Sequence, residues 1–239
     1  MMNEMSSAPI LSIQHLFKSY GPKPALSDLN LQINAPRIIG LLGPNGSGKT
    51  TLFKLIAGLQ QPTSGTIQVC GEPVGAKSRA LTSYLPDKMH LNPGHTVRQH
   101  IDFFADFFDD FDRQRAEDLA HSLRLEPNQV LKTLSKGTQE RLQLVLAMAR
   151  RARLYLLDEP IGGVDPATRD FILDIIRSNY LESSALIIST HLVSDIEHIF
   201  DDVLFLHTGK IHLAGAVDDL RKQHGKTIDQ LFREVFHVY

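Results

Sequence analysis

The sequence predicts an α/β protein whose core is a mostly parallel β-sheet with helices on both faces. Short apolar segments typical of buried strands alternate with longer amphipathic segments typical of helices. A glycine-rich loop follows one predicted strand, and two adjacent carboxylates end another. Open α/β sheets bind their ligands at the carboxyl ends of the strands, so both features predict a binding site at that edge.

The composition fits a folded chain with a sizeable core. Hydrophobic residues make up 42% of the 239 residues, which excludes an intrinsically disordered chain. The 25 Lys and Arg residues are balanced by 27 Asp and Glu residues, so we expect no nucleic-acid partner. The single cysteine, Cys70, excludes an internal disulfide and a thiolate zinc cluster, and this fits a cytoplasmic protein.

No apolar run reaches the roughly 20 residues that a membrane-spanning helix requires. The first nine residues include Glu4 and have no apolar stretch, so we expect no signal peptide there. If the protein acts at a membrane, we expect a separate chain to cross it.

Periodicity predicts the individual strands in chain order. Apolar and polar residues alternate over 11–16 and 29–33, with turn residues at 21–24 between them, so these segments predict half-buried strands of an antiparallel subdomain. Further strands are predicted over 37–42, 65–69, 81–85, 154–157, 185–188, 202–207 and 210–214.

Helices are predicted over 49–59, 113–125, 139–151 and 166–180, and in the tail 218–239, whose role stays open. Thr96 is a candidate cap for a helix that runs through Phe108. Because 95–134 contains no strand pattern, we interpret 89–134 as an inserted helical subdomain. The α/β core with its β subdomain would then be 1–88 and 135–215, followed by a helical tail at 216–239.

The glycine-rich loop fits the pattern G-x-x-x-x-G-K-[ST] and lies between a predicted strand and a predicted helix. Its backbone N–H groups and the helix N-terminus favour phosphate oxygens. The pattern predicts that Lys49 contacts the β- and γ-phosphates and that the Thr50 hydroxyl binds Mg²⁺. The predicted nucleotide-binding residues of this loop are Gly43, Asn45, Gly46, Ser47, Gly48, Lys49, Thr50 and Thr51.

The strand predicted at 154–157 is followed by Asp158 and Glu159. An acidic strand end alone is a weak signal, but with the phosphate loop it predicts a catalytic site. We expect Asp158 to hold Mg²⁺ and Glu159 to accept a proton from the attacking water. The cofactors predicted are therefore ATP and Mg²⁺.

Further motifs resemble those of the ATP-binding cassette (ABC) ATPases. Leu134-Ser-Lys-Gly-Thr-Gln139 is similar to the family's L-S-G-G-Q signature, and its Ser135 lies 23 residues before Asp158. His191 matches the switch histidine, Asp165 matches the D-loop aspartate, and Tyr20 matches the adenine-stacking aromatic. The resemblance covers nearly the whole chain.

The resemblance implies a head-to-tail dimer that buries two ATP molecules. Ser135 and Gly137 of one subunit would contact the nucleotide held by the other, and Asp165 would connect the two sites. His191 would contact the γ-phosphate, and Tyr20 would stack on adenine. The dimer could be a homodimer or a heterodimer with a related subunit.

The sequence departs from the family pattern at three positions. Lys136 replaces the first glycine of the signature, and Thr138 replaces its glutamine. Asp87 lies where the family has the Q-loop glutamine. A carboxylate can bind Mg²⁺ or its water but cannot donate a hydrogen bond as an amide does.

The residues Tyr84-Leu-Pro-Asp87, the phenylalanine-rich insert and Ser135-Lys-Gly137 resemble one bacterial branch of the family. That branch comprises exporters with a separate permease, similar to Ytr-type and bacitracin-resistance transporters. The resemblance therefore implies an antibiotic or cell-envelope substrate and a position on the inner face of the cell membrane.

Five phenylalanines of the insert share one broad helical face. They could form the core of the subdomain, or part of the face could receive a short helix of the permease. These residues are Phe103, Phe104, Phe107, Phe108 and Phe111.

Two other functions remain as alternatives to the ATPase subunit of an exporter. A translation or DNA-maintenance ABC ATPase is disfavoured by the single cassette, the short insert and the balanced charge. A regulatory cassette that binds ATP without turnover is disfavoured by the presence of both Glu159 and His191.

Overall fold

The computed structural model describes residues 8–88 and 90–236, with the side chains of Pro166 and Ala167 left aside. The first seven residues of the segment considered for a signal peptide lie outside the described residues. So do Met89 and the last three residues of the predicted helical tail. No helix in the described ranges is long and apolar enough to cross a membrane.

Strands and helices alternate through most of the chain. The strands are β1 Leu11–Tyr20, β2 Lys23–Ile33, β3 Ile38–Leu42, β4 Ser64–Val69, β5 Glu72–Pro73, β6 Thr82–Leu85, β7 Leu154–Asp158, β8 Ala185–Thr190, β9 Asp202–His207 and β10 Lys210–Ala216. The helices are α1 Lys49–Ile56, α2 Ala76–Ala80, α3 Val97–Phe107, α4 Arg113–Ser122, α5 Lys136–Met148, α6 Pro166–Asn179, α7 Val193–Ile196, α8 Val217–His224 and α9 Ile228–Phe236.

Two sheets form the fold. An antiparallel sheet has the strand order β2-β1-β4-β5, and a six-stranded sheet has the order β10-β9-β3-β8-β7-β6. In the larger sheet all neighbours are parallel except β9 and β10, which form an antiparallel hairpin at one edge. The predicted α/β fold, with its N-terminal antiparallel subdomain and helical insert, is confirmed.

The larger sheet is buried on both faces. Side chains of β3 alternate between two hydrophobic clusters: Ile39 and Leu41 pack with the antiparallel sheet and α1, whereas Ile38 and Leu42 pack with the remaining helices. Every residue of β3, β7 and β8 is buried, as the apolar runs that make up most of these strands predict. This burial holds the carboxyl ends of these strands at a defined edge.

The insert between β6 and α5 contains α3 and α4. Thr96 caps α3 as predicted, because its Oγ1 accepts a hydrogen bond from the Gln99 amide at 3.2 Å. Asp112 caps α4 in the same way. The five phenylalanines divide between two environments. Phe104 and Phe111 pack against the core and Phe108 is half-buried beside the Arg150 guanidinium, whereas Phe103 and Phe107 are exposed and stack on each other.

Several predicted boundaries were wrong. The helix predicted to begin at 139 begins at Lys136, because Ser135 caps it by accepting from the Thr138 amide. The predicted β-turn at 21–24 is shorter, because β2 already begins at Lys23. The short elements β5, α2 and α7 were missed, since each has too few residues to show a periodicity.

The tail is helical over its described residues and forms two helices. Gly225, with φ +63°, ends α8, and α9 follows after two residues. Leu231 and Phe232 of α9 are buried, and the Phe232 ring lies 6.2 Å from that of Phe205 in β9. The Asp229 amide also donates to a carboxylate oxygen of Glu197 at 2.8 Å. The tail therefore packs on the core.

Candidate nucleotide site

The glycine-rich loop connects β3 to α1 and is tightly enclosed. Gly48, at φ +113°, precedes α1, and a Cβ at this position would lie 2.8 Å from the carbonyl oxygen of Ala25. A Cβ on Gly43 would lie 2.3 Å from the carbonyl oxygen of Leu206. Only glycine fits at either position, so the loop backbone is held at the N-terminus of α1, where amide groups favour anions.

Lys49 is buried beside the loop that precedes it. Its Nζ donates to the carbonyl oxygens of Gly43 at 2.6 Å and Pro44 at 3.3 Å. Burial lowers the pKa of Lys49, and the nearby carboxylates of Glu159 and Asp158 oppose this shift. The ammonium therefore lies between the loop and the acidic end of β7.

Asp158 ends β7 and is 1% exposed. The Ser189 hydroxyl of β8 donates to its Oδ1, whereas its Oδ2 is buried and has no hydrogen-bond partner in the described part of the chain. Burial raises the pKa of Asp158, and the Ser189 and Thr50 hydroxyls lower it. A buried carboxylate oxygen beside a hydroxyl is a donor set that suits a hard divalent cation.

Glu159 follows in a strained conformation with φ +52°, which costs about 1–3 kcal/mol and is typical of functional sites. Its amide donates to the Ser189 carbonyl oxygen at 3.0 Å, which anchors the backbone to β8. Its Oε1 lies 3.0 Å from Nδ1 of His191 and 3.7 Å from Nζ of Lys49. Its Oε2 is buried and unpartnered among the described residues, so it is available to accept a hydrogen bond.

One cavity of about 420 Å³, which we call the nucleotide cavity, brings most of the predicted site together. Asp87 lies on its wall, next to the end of β6. The predicted residues that line it are Asn45, Gly46, Ser47, Gly48, Lys49, Thr50, Thr51, Asp87, Asp158, Glu159 and His191. Among residues 8–88 and 90–236, no group of three or more His, Cys, Asp or Glu side chains is arranged to hold a metal. Mg²⁺ in such sites is usually held by one or two carboxylates together with substrate phosphates.

The other predicted residues do not line this cavity. Tyr20 is 48% exposed, and its hydroxyl contacts the Gln60 side chain. Ser135 caps α5, and Asp165 caps α6 by accepting from the Thr168 amide at 3.2 Å. A Cβ on Gly137 would meet no atom within 4 Å.

Several residues of the site were missed at the level of sequence. The Ser189 hydroxyl donates to the Asp158 carboxylate and accepts from the Glu159 amide, and its signal was a polar residue within a mostly apolar strand. Ala25, Glu140 and Gln143 also line the cavity. Gln143 interrupts the apolar sequence 142–146 of α5, but periodicity could not indicate which side of the helix faces the cavity.

Residues 26–162 match the model of the ABC transporter family. The chain belongs to this family. It is the ATP-binding subunit of an ABC transporter and an ATPase that hydrolyses ATP. The match spans the phosphate loop, the helical insert and the acidic end of β7.

Relatives of this ABC ATPase cover most of its length. Nod factor export ATP-binding protein I of Burkholderia orbicola (strain AU 1054) is 34% identical over 221 residues, which are 89% of this chain and 72% of the relative. The uncharacterized ABC transporter ATP-binding protein YxlF of Bacillus subtilis (strain 168) is 32% identical over 219 residues, 90% of this chain and 73% of the relative.

Solved structures share the fold of this ABC ATPase. One described as an ATP-binding subunit of an ABC transporter superposes with a TM-score of 0.86 at 26% identity, over 94% of this chain and 98% of that one. A dimeric ATP-binding cassette bound to ADP and Pi superposes with a TM-score of 0.77 at 21% identity, over 86% and 98% of the two chains. At that identity the second likeness concerns the fold alone.

Proposed function

We propose that this ATPase powers a membrane exporter whose permease is a separate chain, with Glu159 as the catalytic base. The observation that carries the catalytic assignment is the contact of one carboxylate with both His191 and Lys49 in the nucleotide cavity. The names of several relatives describe export, and this supports the direction of transport.

In the proposed mechanism the loop amides and Lys49 bind the phosphates of ATP. The buried Oδ2 of Asp158, the Thr50 hydroxyl and Asp87 would hold Mg²⁺. When bound, this ion neutralises charge on the phosphate oxygens. The loop geometry orients the γ-phosphate towards the end of β7.

Glu159 then accepts a proton from water as the water oxygen attacks the γ-phosphorus. The bond to the β-phosphate oxygen breaks, and ADP and phosphate are the products. The Oε2 atom of Glu159 is suited to accept this proton because no described group donates a hydrogen bond to it. His191 holds the other oxygen of the same carboxylate at 3.0 Å and thereby orients it.

The test compares ATP hydrolysis by the wild type with that by Glu159→Gln, with and without Mg²⁺. We expect the variant to bind ATP normally and to lose at least about 100-fold in kcat, since general bases contribute roughly 10²–10⁴. Glu182→Gln is the matched control, because Glu182 is exposed and precedes β8 at the opposite end of the sheet. Equal turnover by the wild type and Glu159→Gln would refute the assignment of Glu159 as the catalytic base.

A second part of the proposal is a head-to-tail dimer in which Ser135 and Gly137 complete the site of the partner. Both lie at the N-terminus of α5, which favours phosphate. Because Gly137 has open space around its Cα, its own chain imposes no need for glycine there. Tyr20 would stack on adenine, and Asp165 would lie at the interface.

Complementation tests this arrangement. A chain carrying Glu159→Gln and a chain carrying Gly137→Trp are each expected to be inactive as homodimers. Mixed together, they should regain activity, because one site of the mixed dimer combines an intact Glu159 with an intact signature. The absence of recovery, with mixed dimers shown by cross-linking, would contradict the head-to-tail arrangement. A chain that stays monomeric with ATP would indicate a heterodimer.

The permease is proposed to dock on the helical insert. We infer that this insert is the segment 89–134, which lies between the core segments 1–88 and 135–215. Phe103 and Phe107 are 56% and 67% exposed and stack with ring centroids 6.0 Å apart. Exposed aromatic pairs are typical of interface anchors. This docking would place the chain on the cytoplasmic face of the membrane. The resemblance of the sequence to Ytr-type and bacitracin-resistance exporters supports a substrate of the antibiotic or cell-envelope class.

A pull-down from detergent-solubilised host membranes tests the partner. We expect the tagged wild type to recover a polytopic membrane protein in stoichiometric amount and Phe103→Ser/Phe107→Ser to lose it. Phe171→Ser is the control, because Phe171 is a 44% exposed phenylalanine on α6, outside the insert. Equal recovery by the wild type and the double variant would contradict docking at this pair of phenylalanines.

A further inference from the structure

The nucleotide cavity shares a wall with a second cavity of about 200 Å³, which lies between the insert and the core. Phe104 and Phe108 line the second cavity on the insert side. Three residues line both cavities, namely Leu85 and Pro86 at the end of β6 and Gln143 on α5. Gln143 is the polar member of this shared wall.

The burial of Gln143 is not explained by packing alone. Its side chain is 7% exposed, and its amide oxygen Oε1 is buried without a hydrogen-bond partner among the described residues. Its neighbours Leu142 and Leu144 are also buried, so an apolar residue would suit a purely structural position. Leaving a polar group buried and unpaired costs free energy.

The residues that line the same cavity carry four other oxygens in this condition, and two of these, on Ser47 and Asp158, belong to the phosphate loop and the proposed Mg²⁺ site. Glu140 Oε2 and Glu159 Oε2 are buried and accept no hydrogen bond from the described part of the chain. Glu140 and Gln143 are three residues apart on α5 and therefore neighbours on one side of the helix. All three oxygens are acceptors, so the group that satisfies them has to be a donor. A water molecule donates two hydrogen bonds and occupies about 30 Å³, which this cavity easily accommodates.

We propose that Gln143 is a positioning residue of the ATPase site, whose amide oxygen holds a water molecule in the nucleotide cavity beside Glu159. Glu140 offers the second acceptor from the same face of α5. The inference rests on the proposed role of Glu159 as base.

The test is steady-state ATP hydrolysis by the full chain carrying Gln143→Met, which keeps the side-chain volume and removes the amide. We expect kcat to fall about tenfold or more, since a misplaced reactant is costly, while KM for ATP stays within about twofold. The melting temperature should stay the same or rise, because an unpaired polar group is replaced by an apolar one. Leu144→Met is the control for repacking of α5 and should keep the wild-type kcat.

Gln143→Glu separates positioning from packing, because it keeps an acceptor oxygen at the same reach. We expect its kcat to exceed that of Gln143→Met several-fold. A wild-type kcat for Gln143→Met, or equal losses in the two variants, would overturn the inference. Glu159→Gln is measured in parallel: if it is slow while Gln143→Met is not, only this inference fails. If Glu159→Gln matches the wild type, the proposed base fails.

Discussion

Arg150 joins the helical insert to the core, and its removal should destabilise the whole protein. The side chain is 4% exposed and pairs through Nε with Asp110 of the insert. Its Nη2 donates to the Ala80 carbonyl oxygen at 2.9 Å, and its guanidinium lies 3.8 Å from the ring centroid of Phe108. One buried cation thus contacts both parts of the fold.

The magnitude follows from these contacts. Removing one partner of a buried ion pair costs about 3–5 kcal/mol. Asp110 keeps 25% side-chain exposure, so water can solvate part of the carboxylate left behind. The lost contact with Phe108 is worth about 1–2 kcal/mol. Since such terms are not additive, we expect Arg150→Met to lower the free energy of unfolding by about 3 kcal/mol and the melting temperature by about 6–12 °C.

Urea unfolding followed by circular dichroism measures this loss, and Arg151→Met is the matched control. Arg151 also pairs with a carboxylate of the insert, Asp112, at 2.8 Å, but its side chain is 65% exposed. Exposed pairs contribute about 0–1 kcal/mol, so this variant should lie within 1 kcal/mol of the wild type.

Equal losses for the two variants would refute the argument that burial of Arg150 decides its contribution. So would a loss of less than about 1 kcal/mol for Arg150→Met. Combining Arg150→Met with Asp110→Asn gives a further check. The double variant should lose less than the sum of the single losses, because the two residues form one interaction.

Three further predictions concern the site and the insert. Asp158→Asn should abolish hydrolysis and raise the melting temperature at pH 7. The melting temperature should rise because burial raises the folded-state pKa of Asp158, so that the charged carboxylate destabilises the fold above that pKa. The gain should disappear as the pH falls through the folded-state pKa towards about 4, and a gain independent of pH would contradict this cause. Gly48→Ala should lose ATP binding in a fluorescent-nucleotide titration, because the alanine Cβ would displace the loop from Ala25. Unchanged affinity would show that the loop adapts to the added methyl group. Thr96→Ala should lower the free energy of unfolding, measured in urea, by about 1 kcal/mol because α3 loses its cap, and it should leave hydrolysis unchanged. A smaller loss would show that Gln99 or water replaces the capping hydrogen bond.

The parts of the site that lie within one local segment could be predicted from the sequence. The loop from Gly43 to Thr50 and the pair Asp158–Glu159 each follow a buried strand, and the rules for parallel sheets place them at one edge. Their meeting with His191 in one cavity agrees with that prediction. The roles assigned to Tyr20 and Asp165 stay predictions, because they concern a nucleotide and a second chain.

The remainder could not be predicted because it depends on contacts between distant segments. The helical pattern of the insert showed one broad phenylalanine face but not where the core would cover it. Packing against the core partly buries Phe104 and leaves Phe107 exposed. Likewise, the sequence shows Ser189 only as a residue of a predicted strand. The pairing of β7 with β8 brings its hydroxyl to Asp158.

The sequence by itself determined the fold class, the phosphate loop and the acidic strand end, because periodicity and loop chemistry act over a few neighbouring residues. Only the tertiary structure decided which polar groups are left without partners. Gln143 and Glu159 lie 16 positions apart in the chain. Their oxygens, which accept no hydrogen bond from the described residues, share a cavity because the fold brings α5 and the end of β7 to the same site.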